Sequence, residues 1–245
     1  MEPIVHQGLS NLVIQMGNVQ IRSYEAKNIV KASIEPDLLN KQEIEANMLK
    51  TPKVLYNWWK EHSLWAKDLA IIYIKEAQKA YRDQQSNWTQ YLGWAFHFIT
   101  DRATPYHSPN KLNPLINSIQ DDFEEGANSL KGFSVKSQIA GGLINVGANL
   151  FSKAIYLKIN HDDFEDLCDE KWISCKSMIS EILLSLKKPD RSIINLSFIE
   201  KKINYLHEKY KDISLKWINT NNNYEKYMAE IVFVMDLAYQ FIFKE

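Results

Sequence analysis

Cysteine is nearly absent from this 245-residue chain. Only Cys168 and Cys175 occur, within a helical pattern and roughly 10 Å apart along one face by the rise per residue. That is too far for an unstrained disulfide. Neither has a Cys or His partner at zinc-finger spacing, so both read as buried thiols. Charge of one sign is missing too. With 29 basic and 30 acidic residues the net charge is −1, which does not favour nucleic acid as a partner. No apolar stretch reaches the roughly 18 residues that span a bilayer; the nearest, Ile139 to Phe151, is short and glycine-rich. The first residues lack a basic segment followed by an apolar run and a cleavage site, so a cytoplasmic location is expected.

Glycine and proline are scarce as well, at 8 and 7 residues, and clear strand patterns are missing. Apolar residues recur at three- and four-residue spacing, which predicts an all-α chain. Helices are expected near 6–18, 21–33, 40–50, 53–61, 64–83, 87–102, 116–130, 136–157, 161–187, 196–218 and 221–243. Breaks fall at Glu35-Pro36, at Thr104-Pro105 through Pro114, and at Lys187-Lys188-Pro189-Asp190, where proline removes a donor and clashes with the preceding turn. These read as loops, not linkers, so residues 1–245 are expected to form a single helical metal-binding domain, a multi-helix bundle. A hydrophobic content of 45% supplies its core. The aromatic residues are read first as core packing, with some available to line a pocket.

The most informative segment runs from Tyr91 to His107. His97 and Asp101 are four apart on an apolar helix, so they share a face and can meet one metal ion from successive turns. His107 follows a proline-bearing loop that can return it to that face. Downstream, Gln120 and Glu124 repeat the four-residue spacing at a strongly acidic helix start that includes Asp121, Asp122 and Glu125. Upstream, His6 opens the first apolar helix, Asp37 follows a proline, and His62 lies before a further helix. Histidines and carboxylates separated by helix-length gaps have the composition of a nitrogen and oxygen ligand site projecting into a bundle interior.

The pattern Leu92-Gly93, His97, Asp101, Pro105, His107 resembles the zinc-dependent phospholipase C family, part of a superfamily that also holds zinc-dependent single-strand nucleases. The confident part of the resemblance covers residues 88 to 126. It implies an all-helical bundle and a cluster of one to three zinc ions. Carried over residue by residue, it implies that His6, Asp37, His62, His97, Asp101, His107 and Glu124 are metal ligands. Asp37 is then also the candidate general base, and Asp101 the bridging carboxylate. Two positions depart from the family. Gln120 stands where the family has histidine, and an amide is a much weaker zinc ligand than imidazole, which leaves the His107 and Glu124 site weak or empty. His161 and Glu165 form a second copy of the local string that could take over the pair. The family also uses an amino-terminal tryptophan as a ligand, whereas this chain begins Met-Glu-Pro.

The function this implies is metal-assisted hydrolysis of a phosphoester or phospholipid by activated water. Arg102 adjoins the cluster in sequence but points off the ligand face, as a surface residue would. Trp58, Trp59, Trp65, Trp94 and Tyr106 lie near proposed ligands and are candidates for the wall of an apolar pocket. Two rival readings remain. Asp121 to Glu125 and Asp162 to Asp166 resemble the aspartate-rich motif of magnesium-dependent class I isoprenoid synthases, with Asn222, Lys226 and Glu230 near the spacing of their second motif. Alternatively, the chain is a catalytically impaired helical protein that binds metal and a lipid or partner.

Overall fold

The computed structural model describes residues 3–38, 62, 65–105 and 163–244, and every element among them is helical. In chain order these are α1 (Pro3–Met16), α2 (Ser23–Ala32), α3 (Ala66–Arg82), α4 (Trp88–Ala103), α5 (163–185), α6 (Leu196–Tyr210), α7 (Leu215–Ile218) and α8 (Asn223–Ile242). Residues 35–38 are also helical. The helices expected at 40–50, 53–61, 116–130 and 136–157 lie outside the described residues. No helix among the described residues is long and apolar enough to cross a membrane.

Two helices, α4 and α8, are buried along most of their length. Helix α4 packs against α1, α2, α3, α6 and α8, so it runs through the middle of the bundle. Its closest partner is α3, whose inward stripe is Ala66, Ala70, Ile74, Ala77 and Ala80. That spacing returns each side chain to one face, and its small residues let the two axes approach. Gly93 does the same on α4 toward α2: a Cβ there would lie 2.5 Å from Ala32 Cβ and 2.6 Å from the Ile29 carbonyl.

The carboxyl end of α4 lies within the core, and its last carbonyls find side-chain partners from other helices. His207 Nδ1 on α6 lies 3.2 Å from the Arg102 carbonyl, and the Tyr227 hydroxyl on α8 donates to the Ala103 carbonyl at 3.3 Å. These groups would otherwise be orphaned at a helix end.

Two breaks differ from the sequence expectation. The predicted helix 196–218 is interrupted at residues 211–214, where Ser214 Oγ accepts the Trp217 amide and starts α7 afresh. The break expected at Glu35-Pro36 falls instead at Ser33-Ile34, and Pro36 sits in the first turn of the next helical segment, where a missing N–H costs nothing. The thiols also differ from one another. Cys168 is buried, and burial pushes its pKa up; Cys175 is only half-buried and donates to Glu225 Oε1 at 3.1 Å.

Candidate metal centre

The carboxyl-terminal half of α4 supplies the first two candidate ligands. His97 and Asp101, one turn apart, are 0% and 1% exposed, and His97 Nε2 lies 3.0 Å from Asp101 Oδ2. The other ring nitrogen of His97, Nδ1, donates to the Ser33 carbonyl at 3.0 Å, just past the end of α2. This bond places a proton on Nδ1 and turns Nε2 toward the cluster.

Three more side chains converge there. His62 Nδ1 is 2.5 Å from Asp101 Oδ2 and 3.2 Å from His97 Nε2. Asp37 Oδ1 lies 3.6 Å from His97 Nε2 and 3.7 Å from His62 Nδ1. His6 comes from α1, with its ring stacked on His97 at 4.5 Å and its Nε2 3.9 Å from Asp101 Oδ1. The two oxygens of Asp101 thus face different histidines. The ligand atoms of His62, His97 and Asp101 form one mutually close group and those of His6, Asp37 and His97 another, either of which could hold a metal ion.

The electrostatics favour a cation at this place. Burial by itself would lower the pKa of His97, but Asp101 and Asp37 outweigh it and raise that pKa to about 9. Burial likewise opposes ionisation of Asp101, yet His97 and His62 hold its carboxyl well below the usual range. For His6 burial wins, reinforced by the neighbouring His97, and its pKa falls well below the ordinary value. Neither nitrogen of His6 has a hydrogen-bond partner, although the ring is 1% exposed. A buried imidazole with two unused nitrogens is costly unless one of them binds something. The donor set, three imidazoles and two carboxylates, suits a borderline metal such as zinc better than magnesium or calcium. Phe98 packs against His62 and His97 and closes one wall with apolar surface.

Five of the residues singled out by sequence, His6, Asp37, His62, His97 and Asp101, are therefore brought together. His107, Gln120, Glu124 and His161 lie outside the described residues, as do Trp58, Trp59, Tyr106 and residues 121–125. Glu165 is buried on α5 but belongs to neither ligand group. Arg102 is half-buried rather than a free surface residue, and burial lowers the pKa of its guanidinium. Trp65 is largely exposed, whereas Trp94 is half-buried and turned toward Glu35. Of the residues in the second isoprenoid-synthase-like motif, Asn222 stands at the start of α8 in the left-handed region at φ 56° with no side-chain cap hydrogen bond, Lys226 is exposed, and Glu230 pairs with Lys209 at 2.5 Å.

Sequence reasoning passed over the Ser33 carbonyl and Glu35. The first is a backbone group with no side-chain signal. The second could have been found by extending the α4 stripe backward from His97 and asking what Gln90 and Trp94 on the same face would bind. Comparison with family models, curated proteins and solved structures finds no match to this chain, so its functional reading rests on the geometry of this centre.

Proposed function

We propose that the chain is a zinc-dependent phosphoester hydrolase of the phospholipase C kind. The observation that carries this reading is the divided carboxylate of Asp101, facing His6 with one oxygen and His62 with His97 with the other, beside a buried His6 that lacks any hydrogen bond. Such a carboxylate would suit a two-ion centre in which His62 and His97 hold one ion, His6 and Asp37 hold the other, and Asp101 serves both. Zinc bound there polarises a phosphoryl oxygen and brings the pKa of water toward neutrality.

The chain's own residues supply the rest. The side chain of Asp37 is 30% exposed while its four companions are nearly sealed, so substrate and water reach the centre from its side. Its carboxylate is the group placed to orient the attacking water and accept its proton. Asp101 fixes the spacing of the two halves, and the Ser33 carbonyl keeps the His97 ring from turning.

The test is metal content and turnover together. Protein equilibrated with zinc and then dialysed should retain it, and His97→Ala and Asp37→Ala should each retain less. A generic phosphodiester and phosphatidylcholine vesicles should be hydrolysed, with activity lost to a chelator and restored by zinc. Retained zinc without hydrolysis of either substrate would replace this reading with that of a metal-binding protein lacking turnover. Absence of zinc binding would remove the metal centre altogether.

A further inference from the structure

Four of the five ligands are held by burial, at 0 to 2% exposed, but Asp37 is not. It lies in the helical residues 35–38 that follow α2, with its side chain partly open to solvent, so burial does not hold its carboxylate in place. Something else must fix it. Glu35 Oε2 accepts two hydrogen bonds, from Gln90 Nε2 at 3.0 Å and from Trp94 Nε1 at 3.0 Å. Gln90, Trp94, His97 and Asp101 follow one another at four-, three- and four-residue steps, so they form one stripe along α4. The first half of that stripe grips Glu35, and the second half carries ligands.

Residues 33–37 consequently meet α4 three times at alternate positions. The Ser33 carbonyl takes the Nδ1 proton of His97, the Glu35 carboxylate takes Gln90 and Trp94, and Asp37 Oδ1 arrives 3.6 Å from Nε2 of the same His97. We infer that Glu35 is a positioning residue that delivers Asp37 to the metal centre by tethering residues 35–38 to α4. The inference rests on the metal reading above. Glu35 is not itself a ligand: the oxygen that meets α4 is occupied by an amide and an indole, both of which only donate in these contacts.

The experiment compares Glu35→Ala, Glu35→Gln and Asp37→Ala with the unaltered protein, measuring zinc affinity by competition with a chromophoric chelator and cobalt(II) absorption as a report of coordination. The melting temperature of each metal-free protein is recorded alongside. Glu35→Ala should weaken binding about 10- to 100-fold, the range for loss of a group that orients a ligand, and should shift the cobalt spectrum toward that of Asp37→Ala. Glu35→Gln keeps an acceptor oxygen at the same reach and should restore affinity to within a few-fold. Metal-free melting temperatures should change little in either.

Unchanged affinity in Glu35→Ala, with Asp37→Ala weakened, would overturn the role of Glu35 and leave the metal centre standing. Equal loss in the Ala and Gln variants would overturn it too, since a tether needs only the acceptor. No binding by the unaltered protein would bring down the metal reading and this inference with it. If Glu35→Ala does not fold, Gln90→Met removes one of the two donors with little change of length or volume. A several-fold loss there supports the tether, and none overturns it.

Discussion

A single imidazole, that of His97, is gripped on both sides, by the Ser33 carbonyl at Nδ1 and by the carboxylates of Asp101 and Asp37 near Nε2. On the proposed reading, Asp101, whose two oxygens face different histidines, joins the two halves of the centre. Asp101→Asn should therefore reduce bound zinc on both sides, whereas His6→Ala should remove only the ion on its own side, as read by metal analysis after dialysis. Equal losses in the two variants would count against a bridging carboxylate. Asp236, far along α8, offers a test by pH. Its Oδ2 accepts Gln240 Nε2 at 2.8 Å and lies 3.4 Å from Lys188 Nζ, but its Oδ1 has no partner. Burial raises its pKa against the opposing pull of Lys188 and Gln240. A carboxyl whose folded pKa is raised binds its proton more tightly when folded, so its contribution is favourable in acid and is lost as pH rises through that pKa. Asp236→Asn, neutral throughout, should melt higher than the unaltered protein at pH 7, with the difference closing below about pH 4. A constant difference across that range would show that packing, not charge, sets the effect.

Among the elements, the α2 and α4 crossing governs the site. Ser33 directly follows Ala32, and Ala32 is what a side chain at Gly93 would strike. Neither obstacle there, a Cβ and a backbone carbonyl, is the free end of a side chain that can swing aside. Gly93→Ala should cost about 1–3 kcal/mol, the usual penalty of overpacking, and should also weaken zinc binding because α2 carries the Ser33 carbonyl away from His97. Lowered melting with unchanged zinc affinity would separate the two helices' packing from the ligand's orientation. The long elements were legible beforehand: α3, α4 and α8 keep an apolar stripe over four or more turns, and their ends fall within two residues of expectation. The gap at 211–214 was not, because it is made by Ser214 restarting the chain within an otherwise continuous pattern. Nor was the helical stretch 35–38, whose proline reads as a helix stop although it stands where a helix can begin.

Across the whole molecule the centre gathers residues that lie between positions 6 and 101, and sequence could name them only by their chemical type and by family resemblance. Spacing brought His97 and Asp101 together without help. The approach of His6 and Asp37 depends on how α1 and the residues after α2 pack around α4, and no periodicity within one segment encodes that or the arrival of His62. On the proposed reading, the same distribution would make a bound ion a fastener between parts. An ion at this centre joins α1, residues 35–38, His62 and α4, whereas α6 and α8 are held by apolar contacts such as Ile199, Ile203, Leu206, Tyr227 and Met228. Binding to the folded state alone stabilises it by about 2.7 kcal/mol when free zinc is 100 times the dissociation constant. Chelation should accordingly lower the melting temperature, and the loosening should be uneven. Amide hydrogen exchange should quicken in α1 and residues 33–38 first, while the middle of α8 keeps its protection. Uniform acceleration throughout would mean that the bundle opens as one unit, and a melting temperature indifferent to chelation would mean that zinc is no part of what holds α1 to α4.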